Sequence, residues 1–231
     1  MREIVFDTET TGLNPATGDR MVEIGCVEIF NRVETGRHYH AYFNPERDMP
    51  AEAEAVHGLS ALFLSDKPMF ADTVEALLEF IADSPLVAHN AGFDFGFLNH
   101  ELERCGRPLV CLTRMRDTLA LARTRHPGAK HSLDALCVRF GIDRSHRVKH
   151  GALLDAQLLA QVYVELTGGR QIGLGLATTS AAAVAPAAIA IATPTERPAR
   201  SHQASTEELA QHRSFLARIT APLWERFAVP S

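Results

Sequence analysis

The chain is short of the features that mark several protein classes. Its 231 residues hold four cysteines, Cys26, Cys105, Cys111 and Cys137, with no C-x-x-C pair, which argues against a disulfide scaffold and a thiolate zinc site. It opens on Met-Arg-Glu rather than on a basic stretch followed by an apolar one, so no secretory leader is expected. It also lacks an apolar run fit for a bilayer. The uncharged stretch from Gln171 to Thr193 is mostly Ala, Gly, Thr and Ser around Pro186, without the sustained Leu, Ile, Val and Phe that about 20 spanning residues need. A reducing, cytoplasmic setting without membrane contact is predicted.

Nor is there an excess of positive charge, since 23 Lys and Arg face 28 Asp and Glu. The average hides a segregation: residues 1–100 hold 17 acidic and 6 basic side chains, residues 101–150 hold 5 and 11. The basic block, including Arg104, Arg107, Arg114, Arg116, Arg123, Arg125 and Lys130, suits phosphate contact on one face, or is simply a solvated surface. With 46% hydrophobic residues, the chain can bury one sizeable core and carry an appendage.

Periodicity predicts strands first. Glu3 to Asp7 is a short apolar run, Met21 to Phe30 places Val22, Ile24 and Cys26 on one side, and His38 to Phe43 alternates with Tyr39 and Phe43. Breaks at Gly12 to Pro15 and Asn31 to Gly36 are short enough for an antiparallel meander. Helical spacing follows at Val74, Leu77, Leu78 and Ile81, then a buried strand at Leu86 to Ala88. Further helices are read at Phe93 to Leu102, Leu133 to Phe140, and Leu154 to Leu166, the last stopped by Gly168-Gly169. This order predicts an α/β domain with a mixed sheet flanked by helices, spanning 1–170. An Ala/Thr/Pro-rich linker, 177–204, comes next. The tail, 205–228, reads as a lone amphipathic helix: Ser205 and Glu208 have the form of a capping box, and Leu209, Leu216 and Ile219 recur before Pro222 and Trp224. Such a helix needs a partner to bury its stripe.

Four acids and a histidine stand in chemistry-bearing contexts. Asp7 and Glu9 are two apart on a strand, so their carboxylates share a face, where a divalent cation would relieve their repulsion; turn capping is the plain alternative. Asp94 lies among Phe93, Phe95 and Phe97, a setting that penalises an unpaired charge, although an acid in a first helical turn is also ordinary. His150 and Asp155 are five apart and would point roughly 140° apart on one helix, so His150 belongs on the loop before Gly151 and Asp155 in the first turns.

Taken together, Asp7-x-Glu9 at a strand end, Ala88-His89-Asn90 through Phe93-Asp94, and His150 five before Asp155 resemble the DEDDh family of 3′→5′ exonucleases. The strings Asp7 to Leu13, Val56-His57-Gly58, Ala88 to Phe97, His131 to Cys137 and His150 to Gln157 resemble its proofreading branch, which serves bacterial DNA polymerase III. The resemblance implies a ribonuclease H-like, five-stranded mixed sheet with acids at the ends of its first and fourth strands, then a flexible linker and a C-terminal helix. It implies two Mg2+ or Mn2+ ions, with Asp7 bridging both, Glu9 and Asp155 completing one site and Asp94 the other. His150 would be the general base. Thr10, Leu13, His57, His89 and Phe93 would meet a single-stranded or frayed DNA 3′ end, Phe93 by stacking and Leu13 as a wedge; His57 and His89 also read as ordinary loop histidines.

Two partner sites are implied as well. The tail, through Leu209, Leu216, Ile219 and Trp224, would anchor the chain to the polymerase III alpha subunit. The spacing Gln171, Leu174, Leu176 resembles the peptide that partners of the bacterial sliding clamp insert into its apolar groove, though residues 171–176 also read as a loose exit from the last helix, and Gly173 and Gly175 raise the ordering cost on binding.

Overall fold

The computed structural model describes residues 1–147, 149–169 and 203–219. Five strands form one sheet: β1 (Arg2–Thr10), β2 (Met21–Phe30), β3 (Val33–Tyr42), β4 (Leu86–Ala88) and β5 (Met115–Asp117), in the order β3-β2-β1-β4-β5. The first three pair antiparallel as a meander, whereas β4 and β5 run parallel to β1. The helices are α1 (Ala51–His57), α2 (Ala61–Leu64), α3 (Phe70–Ile81), α4 (Gly92–Arg104), α5 (Thr118–Arg125), α6 (Leu133–Phe140), α7 (Ala152–Leu166) and α8 (Thr206–Leu216).

Strand alternation sorts side chains to two faces. Ile4, Phe6, Ile24, Cys26, Leu86 and Ala88 meet Val74, Leu77 and Ile81 of α3 and Phe95, Leu98 and Leu102 of α4. Val5, Val27, Ile29 and Val87 pack instead on Ala156, Leu159, Ala160 and Tyr163 of α7. The opposite side of α7, through Leu158, Val162 and Leu166, packs on Ala122 of α5 and Leu136 and Cys137 of α6. Helix α7 is thus apolar on two sides because it lies between the sheet and two other helices.

Several expectations are corrected. The first strand continues past Asp7 to Thr10, so Glu9 is inside it. The gap after β2 is only Asn31-Arg32, at φ 50° and 66°, the left-handed pair of a tight hairpin; β3 starts at Val33, and Gly36 is a strand residue. The early half of β3 is an exposed edge, so it shows no apolar alternation for sequence reading to find. Strand β2 does alternate, but both of its faces are buried. Asp94 lies in the first turn of α4 rather than at the end of β4. Helices α1, α2 and α5 and strand β5 have no counterpart in the sequence reading.

Helix α8 belongs to a second compact unit of the chain. Its capping box is formed, with Glu208 N donating to Ser205 Oγ at 3.2 Å and Ser205 N to Glu208 Oε2 at 2.8 Å. The helix ends at Leu216, one turn short of the expected stripe, leaving Ile219 beyond it. Residues Gln171, Leu174, Leu176 and Trp224, and nearly all of the 177–204 linker, lie outside the described residues.

Candidate active site

The site assembles where the carboxyl half of β1 meets the first turns of α4 and α7. Asp7 stands opposite Gly25 across the β1–β2 pair. A Cβ on Gly25 would lie 2.3 Å from the Cα and N of Leu153, so the missing side chain lets the backbone of α7 press on the sheet beside Asp7. Gly151 precedes the helix in an extended conformation. His150 therefore remains on the loop and Asp155 falls in the first turn, as the five-residue spacing predicts. On the other face of β1, Thr8 donates to Asp94 Oδ1 at 2.7 Å.

One cavity of about 270 Å³ is lined by Asp7, Glu9, Asp94, His150 and Asp155 together with His89 and Phe93. Ligand atoms of Glu9, His150 and Asp155 lie within 4.8 Å of one another, a spacing that can hold a metal ion. A second, larger cavity of about 540 Å³ is lined by Thr10, Leu13, His57 and Phe93 among others. Phe93 is common to both. The structure thus brings the five predicted chemical residues together and sets the predicted substrate residues around and beside them.

The electrostatics are those of a site deficient in positive charge. Burial, then the carboxylates of Asp94, Glu9 and Asp155, holds Asp7 well above the usual carboxylate range. Burial, then Glu23 and Asp155, pushes Glu9 up to about 8. Asp94 is pushed up to about 7 by burial, with the Thr8 bond working the other way. Buried carboxylates at this spacing cannot all ionise without compensation by protons or by cations. This donor set fits hard divalent cations such as Mg2+ or Mn2+.

The histidines of the rim differ. Leu59 N donates to His57 Nδ1 at 3.0 Å, leaving the ring proton on Nε2, a buried atom with no hydrogen-bond partner among the described residues. Burial keeps His57 below its ordinary pKa and therefore neutral near pH 7. His89 is likewise lowered by burial, and its Nδ1 lies 2.9 Å from Thr118 Oγ1. Thr10 donates its hydroxyl to Gly12 O at 2.6 Å, shaping the turn on which Leu13 stands 85% exposed.

Sequence reading missed four groups that hold the site. Glu23 lies opposite Glu9 and is 2% exposed, with Oε1 2.7 Å from His40 Nε2; a charge inside the apolar β2 run was the available signal. Arg20 grips the buried Glu101 through two bonds of 2.7 and 2.9 Å, while Glu101 also accepts from Met21 N and Thr11 Oγ1 from Arg20 N. Asp117 accepts from Asn90 N and Leu119 N, tying the β4–α4 turn to α5. Arg147 binds Asp155 and His150 directly. Of the basic block, Arg107 pairs with Glu75, and Arg114 donates to the carbonyls of Ser84 and Ala82, so part of it is spent on the fold.

Comparison with known proteins gives concordant matches. An exonuclease family model, RNase_T, matches residues 4–163. DNA polymerase III subunit epsilon of Rickettsia conorii is 51% identical over 222 residues, covering 95% of this chain and 96% of the relative. The subunit of the same name from Salmonella typhimurium is 44% identical, covering 93% and 92%, and that of Escherichia coli K12 is 46% identical, covering 73% and 72%. Among solved structures, exonuclease X in complex with 5′ overhanging duplex DNA aligns with a TM-score of 0.54 and 26% identity over 71% of this chain and 90% of that one. The nuclease domain of 3′hExo, a DEDDh family member bound to rAMP, shares the fold at a TM-score of 0.62 and 15% identity, covering 72% and 91%. Among the described residues no helix is long and apolar enough to cross a membrane.

Proposed function

The chain belongs to the DNA polymerase III subunit epsilon family of exonucleases, and from that membership we propose how its residues divide the work. It is a proofreading 3′→5′ exonuclease that binds DNA and associates with the polymerase III core. The observation that carries the assignment of roles is the convergence of Asp7, Glu9, Asp94, His150 and Asp155 on one cavity.

The family works with divalent metal, and the finer proposal is two Mg2+ or Mn2+ ions. Asp7 would hold both, Glu9 and Asp155 one, and Asp94 the other. Bound there, the ions supply Lewis acidity to the attacking water and to the departing 3′ oxygen. His150, half-exposed at 49% beside Asp155, takes the proton from that water and so acts as general base. The product is a 5′-monophosphate.

The larger cavity is the proposed seat of the terminal nucleotides. Phe93 offers a ring for stacking, Leu13 an exposed apolar wedge, and His57 Nε2 an unused donor. A paired terminus cannot reach this depth, so mispaired ends, which fray, are selected. The tail would carry the contact with the alpha subunit through Leu209, Leu216, Ile219 and Trp224, and residues 171–176 a contact with the sliding clamp.

The test is digestion of a 5′-labelled primer with a mispaired 3′ end. A ladder of shortened products in Mg2+ is expected, absent in EDTA and absent for Asp7→Ala with its circular dichroism intact. Full activity of Asp7→Ala would refute the assignment.

A further inference from the structure

Among the described residues, Arg147 is the one lysine or arginine lining the cavity that holds the five chemical residues, and its guanidinium is engaged with two of them. Its Nε and Nη2 reach the two oxygens of Asp155 at 2.5 and 2.7 Å, a fork-on-carboxylate geometry that uses both faces of the ligand. The same Nη2 lies 2.8 Å from His150 Nδ1. A guanidinium can only donate, so in that bond His150 Nδ1 is the acceptor; the same Nδ1 lies 3.3 Å from Asp155 Oδ2, and Nη2 lies 3.4 Å from His150 Nε2, so the guanidinium stands against the imidazole ring. Nη1 is held by Asp134 at 3.1 Å. Arg147 is itself only 10% exposed and Asp155 3%, so the pair is made in a poorly solvated place where charge-assisted bonds are strong.

We propose that Arg147 is an internal counter-cation that competes with divalent metal for Asp155 and caps the base His150 until metal displaces it. Resting on the metal reading above, this makes Arg147 a positioning residue, because it acts through Asp155 and His150. A divalent cation that takes an oxygen of Asp155 must loosen the fork, and loosening the fork frees Nη2 from His150. Ligand and base then become available in one event, and water is not activated before the cation is seated. A guanidinium of charge +1 leaves the carboxylate as a cation of charge +2 arrives, so the acidic site gains one positive charge in the exchange.

The experiment is a calorimetric Mn2+ titration of the full chain, its Arg147→Gln and Arg147→Lys variants, and Asp155→Asn. Arg147→Gln is expected to bind Mn2+ roughly tenfold tighter, the scale of one charge-assisted bond given up by the competitor. Its melting temperature in EDTA should fall while the increment gained on adding Mn2+ grows; Arg147→Lys, which keeps the charge without the fork, should lie between. A purely structural role predicts the reverse, a weaker site in a loosened loop. Unchanged or weaker Mn2+ binding by Arg147→Gln, with Asp155→Asn clearly impaired, overturns the inference alone; Asp155→Asn binding Mn2+ as the parent does overturns the metal reading and the inference with it. Should Arg147→Gln fail to fold, the parent chain decides the matter by nuclear magnetic resonance. The Arg147 Nε–H signal, shifted by Asp155, should move to the position of a free guanidinium on adding Mg2+, and a signal that stays in place overturns the inference.

Discussion

Thr8 and Asp94 are joined by a hydrogen bond of 2.7 Å that fastens the middle of β1 to the first turn of α4. Both residues are nearly buried, at the wall of the site cavity. In Thr8→Val the shape is kept and the donor is lost. The variant should be destabilised by about 1–3 kcal/mol, the scale for stranding a buried acceptor. Asp94 should also titrate higher than in the parent, since the Thr8 bond is what pulls it down. Thermal denaturation and the acid limb of the pH–rate profile check the two effects.

Stability in EDTA should fall as pH rises. Glu9 at about 8 and Asp94 at about 7 sit above the roughly 4 expected of carboxyls in an unfolded chain. Between those values the folded chain keeps protons that the unfolded chain has released, so this contribution is complete below about pH 4 and is lost as pH climbs through 7 to 8. Melting temperatures in EDTA from pH 5 to 9 should therefore descend, less steeply for Glu9→Gln. Saturating Mg2+ should flatten the curve, because cation replaces proton. A rising curve over this range would show that the carboxyls are not protonated as described.

For His150→Ala we expect kcat to drop by about 10²- to 10⁴-fold, the usual worth of a positioned base, with Mn2+ still bound by the carboxylates. Stopped assays and calorimetry on the same preparation separate the roles. Loss of Mn2+ binding would make His150 a ligand, which its distance to Glu9 and Asp155 would also allow.

Gly25→Ala is predicted to be far more harmful than an ordinary glycine replacement. The new methyl group meets the backbone of Leu153 at 2.3 Å, and backbone yields less readily than a side chain. The helix must lift from β2, at a cost of about 1–3 kcal/mol or more, carrying Asp155 away from Asp7. A lowered melting temperature together with reduced metal affinity is the expected pair of results.

A chain ending at Thr167 should retain nuclease activity and lose co-purification with the alpha subunit, because every residue lining the two cavities precedes that point. Undiminished binding would move the polymerase contact onto the exonuclease fold.

Much of this site was legible in the sequence because each acid stands in a local context that decides its placement. Asp7 and Glu9 share a face through strand period alone, and Gly151 sets His150 apart from Asp155 by standing extended just before the helix begins. The groups that hold these residues were not legible, since their partners are distant in the chain. Arg147 sits in an irregular loop, and Thr8 differs in no local way from Thr10 or Thr11. Strand β5 is three residues long and α5 buries only Thr118 and Ala122, so neither leaves an apolar rhythm. Both matter even so, for Asp117 and Thr118 fix the turn that carries His89 and Asn90.

The buried grip of Arg20 on Glu101 has a consequence for heredity. It binds the start of β2 and the Thr11 turn, one wall of the larger cavity, to α4, whose first turn supplies Asp94 and Phe93. In the proposed function, seating the strand end and cutting it would both lean on this brace, neither residue of which is one of the five chemical groups. If the proposed roles hold, a lesion at either residue is expected to raise the error rate of replication while sparing all five chemical groups, so that the codons that matter for copying fidelity extend beyond those of the five.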